Sequence, residues 1–278
     1  MNLMILKKIE KHSLILQRRI GQEKELKNMS SYKNPLLKVV VDSFLKVKES
    51  RFSRADEKAF KACEAYRNKL LQDDTLITYE IFGLDKTALV KDICKHAASS
   101  EKWCQFLYFI AKETDEPAIL EIGTNLGVSG SYTLEAIKDK TGSKFITMEG
   151  LPQLCEISSK QFSSIVSPDK FEVLQGLYDF TFPILLKKDI KFNLLFIDGN
   201  HQKDPTLEYF EELKKKVASS AIFIFDDINW SEGMKEAWDI IKKDNNVNYS
   251  IDLYEQGIVI IDKEDPVKNI NFQLHLAY

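Results

Sequence analysis

Ala118-Ile-Leu-Glu-Ile-Gly-Thr-Asn-Leu-Gly-Val-Ser-Gly130 is the stretch that decides the fold. Ala118 to Ile122 is short, apolar and preceded by Pro117, which suits the first strand of a sheet covered on both faces. Gly123 and Gly127 let the backbone turn sharply and approach a ligand closely, and Ser129 is placed to cap a helix carrying Tyr132 to Lys140. In outline this is a nucleotide-type site.

Downstream, strand and helix patterns alternate. Lys144 to Met148 reads as a second strand ending at Glu149-Gly150, followed by a helix over Pro152 to Val166. Phe171 to Gln175, Phe192 to Ile197 and Ala221 to Phe225 read as further strands, with helices around Phe182 to Lys188, Thr206 to Val217 and Ser231 to Lys243. Val247 to Leu253 and Gly257 to Ile261 are separated only by a short turn. Such alternation implies an α/β protein with a Rossmann-like, doubly wound parallel sheet and right-handed crossovers, and the close final pair implies an antiparallel last hairpin. The expected count is seven strands.

Upstream the pattern is helical. From Pro35 to about Leu71, apolar residues such as Val40, Phe44, Phe60 and Cys63 recur at three- and four-residue intervals, and Thr87 to Ile110 reads as two more helices. Between them Leu76 to Phe82 is a short β-rich stretch closed by Gly83. Met1 to Ile20 has the pattern of a short amphipathic helix, and Met29 is a second plausible start, so residues 1–28 read as an appendage that the fold does not need.

The chain has 278 residues, 44% hydrophobic and 29% charged, which is the composition of an ordinary soluble protein able to bury a sizeable core. It has no apolar run near the roughly 20 residues of a spanning helix. Lys7, Lys8 and Lys11 interrupt what would otherwise resemble a signal peptide. Four cysteines without metal-type spacing suit reduced, structural thiols and a cytoplasmic location. Net charge is −3, but residues 1–50 hold 11 Lys and Arg against 5 Asp and Glu. No aromatic stacking series accompanies this basic arm, so there is no strong nucleic-acid signal.

In an open parallel sheet, ligands bind beyond the carboxyl ends of the strands where strand order reverses. The polar residues of this chain fall there: the Gly123 to Gly127 turn, Glu149, Asp198 with His201, and Asp226 with Asp227. An acid placed like Glu149 accepts hydrogen bonds from ribose hydroxyls, in a nicotinamide cofactor or in S-adenosylmethionine. The glycine spacing lacks the G-x-G-x-x-G that brings backbone against a pyrophosphate. The looser pattern Glu121-x-Gly123-x-x-x-Gly127 better suits a sulfonium cofactor, which has no phosphate to cradle.

With these blocks in view the chain resembles the class I S-adenosylmethionine-dependent methyltransferases. It is most similar to a bacterial branch related to catechol-type and antibiotic-tailoring O-methyltransferases. The resemblance rests on Leu120-Glu-Ile-Gly-Thr-Asn-Leu-Gly-Val-Ser129, Phe196-Ile-Asp-Gly-Asn-His201 and Phe225-Asp-Asp-Ile-Asn-Trp-Ser231, and spans about residues 60–262. It implies an N-terminal helical extension over residues 1–59 and a methyltransferase domain over 60–278, with its core at 117–262. It further implies that Glu121, Gly123, Thr124, Asn125, Gly127, Ser129, Glu149, Gly150 and Asp198 surround the cofactor. Asp198, Asp226 and Asp227 match the acids that hold a divalent cation in metal-dependent relatives, and three oxygen ligands suit Mg²⁺ or Mn²⁺. The competing view is that Asp226 and Asp227 cap the next helix and Asp198 orients the cofactor.

His201 is the candidate general base. Some sugar-modifying relatives carry an acid where this chain has Asn200, which leaves His201, Lys203 and Asp204 as the local alternatives. The resemblance also puts Tyr79 to Lys86 near the cofactor mouth. The implied activity is O-methylation of a small-molecule hydroxyl, assisted by a cation, with Asp198 and His201 at the reacting centre. The alternative is a non-catalytic binding protein that keeps the fold and uses its basic N-terminal arm. A homodimer is compatible with either.

Overall fold

A computed structural model describes residues 3–277. The chain begins with helices α1 (Leu3–Met29), α2 (Pro35–Lys48) and α3 (Arg54–Leu70), then a small hairpin of β1 (Leu76–Thr78) and β2 (Thr87–Leu89), then α4 (Val90–Ala97) and α5 (Glu101–Glu113). The alternating part follows as β3 (Ala118–Ile122), α6 (Val128–Ile137), β4 (Lys144–Glu149), α7 (Pro152–Ser163), β5 (Phe171–Gln175), α8 (Tyr178–Lys187), β6 (Phe192–Ile197), α9 (Lys203–Leu213), β7 (Val217–Phe225) and α10 (Glu232–Ile241). It closes with β8 (Tyr249–Asp252), β9 (Gly257–Asp262) and β10 (Ile270–Gln273). None of the described helices is long and apolar enough to cross a membrane.

Local chemistry sets several boundaries. Asn34 starts α2, its side-chain oxygen accepting from the amides of Leu36 and Leu37, and Pro35 takes the first helical position where no N–H is needed. Ser53 and Asp56 form a reciprocal capping box at α3. At α6 the sequence expectation fails: the helix starts after Gly127, which adopts φ +73, and the Ser129 hydroxyl donates to Glu121 instead of capping.

The large sheet has the order β10-β8-β9-β7-β6-β3-β4-β5. Pairings β3/β4, β4/β5, β3/β6 and β6/β7 are parallel, while β9 runs antiparallel to both β7 and β8. The doubly wound sheet and its reversed hairpin therefore stand. The count is eight strands, not seven: β10 adds to the edge, parallel to β8. Ile270-Asn-Phe-Gln alternates over only four residues, too few for its periodicity to stand out from a loop. The helix expected to reach Val217 ends at Leu213, because Val217 already pairs with Phe192 across a register shift.

Both faces of the sheet are covered, and alternate strand residues go to opposite sides. Ile119, Phe145, Leu194, Phe196, Ile222 and Ile224 join one core with α2, α3, α5 and α6. Leu120, Ile122, Met148, Leu195, Phe223 and Phe225 join the other with α8, α9 and α10. β4 and β5 follow β3 on one side, whereas β6 and β7 lie on its other side, so strand order reverses between β3 and β6. That reversal positions the crevice described below.

The first helix is anchored rather than appended. Arg18 is buried, and its Nη1 donates to Asp252 Oδ1 at 2.7 Å and to the Asp252 carbonyl at 3.0 Å. Removing one partner of a buried pair strands the other charge, at a cost of about 3 kcal/mol. We expect Arg18→Ala to lower the unfolding free energy by that much, read in urea as a lower midpoint with an unchanged slope. An unaltered midpoint would show α1 to be only loosely attached.

Candidate functional site

Four strand ends converge on one cavity of about 550 Å³. β3 contributes Gly123 and Asn125, β4 contributes Glu149, β6 contributes Asp198 and His201, and β7 contributes Asp226 and Asp227. At the reversal of strand order the backbones nearly touch: the Asp198 amide donates to the Ile122 carbonyl at 2.9 Å. A Cβ on Gly123 would stand 2.2 Å from the Asp198 carbonyl oxygen, and Gly123 adopts φ +108, so only glycine fits. Of the eight non-glycine residues with positive φ among those described, four are Asn125, Asn200, His201 and Asp227. Backbone strain therefore concentrates at these strand ends, as it does at ligand sites.

Glu149 sits at the cavity wall with 8% of its surface exposed. Its two carboxylate oxygens accept from the amides of Asn125 and Leu151, each at 2.8 Å. Burial raises its pKa, and the backbone donors oppose that shift. Each oxygen keeps a lone pair, so the carboxylate is held in place and can still accept from a diol.

Glu121 does different work. It is 1% exposed and does not line the cavity. Its oxygens accept from the hydroxyls of Ser129 at 2.6 Å and Thr147 at 2.7 Å, and Thr147 in turn meets Thr124 at 2.6 Å. This network lies behind the turn and ties β3, β4 and α6 together. Gly127 lies behind it too, since a Cβ there would meet Ser158 and the Phe162 ring at 2.8–2.9 Å. Gly150 is covered by the Phe82 ring, 2.9 Å from its would-be Cβ, which puts the Tyr79 to Lys86 segment beside Glu149. The structure thus gathers Gly123, Asn125, Glu149, Asp198, His201, Asp226 and Asp227 at the cavity and leaves Glu121, Thr124, Gly127, Ser129 and Gly150 outside its lining. Lys203 and Asp204 also lie outside that lining, with Lys203 paired to Glu236 at 2.7 Å.

The three aspartates do not form a ready trio. Asp198 and Asp226 are hydrogen-bonded to each other; burial and repulsion from Asp226 push Asp198 well above the usual carboxylate range, while burial and repulsion from Asp227 raise Asp226 to about 6 against the hydrogen bond with Asp198. Gln256 also hydrogen-bonds Asp226. Asp227 turns through φ +55, and its Oδ2 lies 3.8 Å from His201 Nδ1. His201 Nε2 lies 3.5 Å from Asp198 Oδ1, and burial lowers the imidazole pKa, favouring the neutral ring. Among the described residues no three His, Cys, Asp or Glu side chains form a group that would hold a metal ion as they stand.

Of the opposite wall, the sequence marks only Trp230, which follows the aspartate pair closely enough to flank an acceptor. That wall is formed by the end of α4 and the connection to α5, His96 to Ser100, with Trp103, Tyr178, Trp230 and Glu255. Trp103 Nε1 donates to Glu255 Oε2 at 2.9 Å, joining α5 to the β8–β9 turn. Trp103 reads as core in the sequence, and nothing in its local pattern points to the turn 152 residues away.

Residues 120–228 match a family described as a methyltransferase domain. No curated protein matches the chain. Solved structures share the fold at low identity. An O-methyltransferase from Bacillus cereus in complex with S-adenosylhomocysteine is 22% identical with a TM-score of 0.51, over 60% of this chain and 84% of that one. The S-adenosylhomocysteine-bound methyltransferase PaMTH1 of Podospora anserina is 17% identical with a TM-score of 0.54, over 77% and 89%. The O-methyltransferase TomG of Streptomyces achromogenes, involved in tomaymycin synthesis and solved with S-adenosylmethionine, is 18% identical with a TM-score of 0.52, over 76% and 90%.

Glu121 makes the stability pH-dependent. Burial raises its pKa from 4.5 to about 7, so between those values the folded chain binds a proton that the unfolded chain has released. Stability then falls as pH rises through this window, by up to about 3 kcal/mol from this group. In Glu121→Gln an amide replaces the protonated acid and the hydroxyls can reorient around it. We expect the variant to lose less stability than wild type between pH 5 and 8 in urea titrations. Parallel pH profiles would contradict the assignment.

Proposed function

We propose that the methyltransferase domain of this chain, which has the class I S-adenosylmethionine-dependent fold, transfers a methyl group to a hydroxyl of a small molecule with help from a divalent cation. The observation that carries this is the single cavity at the point where strand order reverses, with Glu149 at its first half and Asp198, Asp226, Asp227 and His201 at its second.

The residues fit the cofactor. Gly123 leaves a cradle that a Cβ would fill, and Glu149 is held by two backbone amides with lone pairs to spare for a ribose diol. S-adenosylmethionine supplies, when bound, a methyl group made electrophilic by sulfonium. Acids lining the cavity favour that positive charge, and Gly123 and Asn125 lie next to Glu149 along the same rim. The wall of His96 to Ser100 and Trp103 narrows the opening and limits water at the reacting centre.

The donor chemistry of the aspartates also suits a hard cation. Two acids that share a hydrogen bond need a proton or a cation between them, and Asp227 is the adjacent third carboxylate. Mg²⁺ or Mn²⁺ held there supplies Lewis acidity that lowers the pKa of an acceptor hydroxyl. His201, neutral and within 3.8 Å of both Asp198 and Asp227, is placed to take the hydroxyl proton at a ring nitrogen. The remaining contribution is positioning, since methyl transfer needs nucleophile, carbon and sulfur nearly in line.

Four free, buried cysteines fit a reducing, cytoplasmic setting. A purely binding role through the basic arm is disfavoured because Arg18 of that arm is consumed by Asp252.

Glu149→Gln keeps the volume but removes the charged diol acceptor. We expect it to weaken S-adenosylhomocysteine binding by about 2 kcal/mol, about thirty-fold in Kd by calorimetry. Unchanged affinity would sink the ribose assignment. For the cation, Mg²⁺ should bind wild type calorimetrically and lose that binding in Asp226→Asn, with turnover abolished by excess chelator. Full turnover in chelator would remove the cation while leaving the cofactor assignment intact.

A further inference from the structure

A second cavity of about 560 Å³, called the rear cavity, shares Trp230 as a lining residue with the strand-end cavity, called the front cavity. Trp230 is 74% exposed, whereas Trp103 and Trp238 are buried. The second cavity is walled by Lys11 and Leu14 of α1, by Trp230 of the β7–α10 connection and Lys235 near the start of α10, and by Tyr254 of the β8–β9 turn.

Its charge contrasts with that of the front cavity. The front lining carries Glu149, Asp198, Asp226, Asp227 and Glu255 and no Lys or Arg. The rear lining carries Lys11 and Lys235 against Glu232 alone. Lys11 lies 3.6 Å from Glu255 and 4.9 Å from the centre of the Tyr254 ring, and Lys235 pairs with Glu232 at 2.8 Å. Both are partly exposed surface pairs of the kind that contribute little and can be exchanged for a better anion.

The rear cavity is also preorganised. Tyr254 adopts φ +77, its amide donates to Asp252 Oδ1 at 2.8 Å, and its carbonyl accepts from Asn229 Nδ2 at 2.7 Å. Arg18 holds the same Asp252 carboxylate. The Trp230 amide donates to the Asp227 carbonyl at 2.9 Å, one turn from the proposed reacting centre. The anchor of α1 therefore fixes the turn that α1 itself helps to cover, and this chain of bonds leads from Arg18 to the rim of the front cavity.

We propose that the rear cavity is the distal half of the acceptor site, and that it takes the anionic tail of an elongated acceptor whose body passes along Trp230. Opposite charge in the two cavities sets the direction of the acceptor: the hydroxyl-bearing head goes to the acids, and a carboxylate or phosphate end goes to Lys11 and Lys235. The N-terminal helix is then a specificity element. This assignment rests on the methyl-transfer reading of the front cavity, and the test separates the two.

The probes are 3,4-dihydroxycinnamate and its methyl ester, which share a head and differ in tail charge. Each is titrated calorimetrically into the full chain with Mg²⁺ and saturating S-adenosylhomocysteine. The expected result is about tenfold tighter binding of the free acid, a ratio near one in the Lys11→Ala/Lys235→Ala double variant, and weaker binding of both probes to Trp230→Ala. S-adenosylhomocysteine affinity should be unchanged in the double variant, which also reports that it is folded. Equal affinity for acid and ester in wild type overturns the proposal, as does a preference that survives in the double variant. Binding of S-adenosylhomocysteine with neither probe binding overturns it as well. Failure of S-adenosylhomocysteine to bind wild type removes the cofactor assignment and this proposal with it.

Discussion

Where β3 and β6 end, two backbones lie against each other with no side chain between them. The Asp198 amide donates to the Ile122 carbonyl, and the missing side chain of Gly123 leaves room for the Asp198 carbonyl. This contact follows from the sheet: β3 sits between β4 and β6, and the chain departs to opposite sides from those two neighbours. A larger residue at position 123 would force the strands apart and widen the crevice floor. Glu149, Asp198 and the Asp226–Asp227 pair are brought to one cavity because their strands are held in register at this point.

Two glutamates near that contact show how burial divides labour. Glu121 is enclosed by hydroxyls and stabilises the turn from behind, while Glu149 is gripped by backbone amides and remains at the cavity surface. Each has its pKa raised by burial, but only the second can meet a ligand. The polar groups of the site are thus arranged in layers. A satisfied inner network fixes the backbone, and the outer groups keep hydrogen-bonding capacity for what binds.

Much of this was legible in the chain itself. Short apolar runs marked β3 to β9, and polar residues following those runs marked the strand ends, because a buried parallel strand and its solvent-facing end differ sharply in composition. Burial depth was not legible. Glu121 and Ser129 look like ligand-facing residues in a glycine-rich turn, yet they bond to each other beneath it. Nor were long-range joins: Trp103 with Glu255, and Arg18 with Asp252, depend on tertiary placement that no local spacing encodes. The short β10 alternates over too few residues to be distinguished, and its partner β8 lies across a returning loop. The acids after β6 and β7 read as a ligand trio. The folded chain makes them a hydrogen-bonded pair with Asp227 beside His201.

Cofactor bound over the ends of β3 and β4, as proposed, would cover the backbone of both turns. Amide hydrogen exchange of the full chain with and without S-adenosylhomocysteine tests this directly. Protection confined to peptides covering Gly123 to Val128 and Glu149 to Leu151 is the predicted result, since those amides lie at the turn and at the Glu149 carboxylate. Exchange at these two segments that is unchanged by the ligand, or protection that appears only elsewhere, would contradict it.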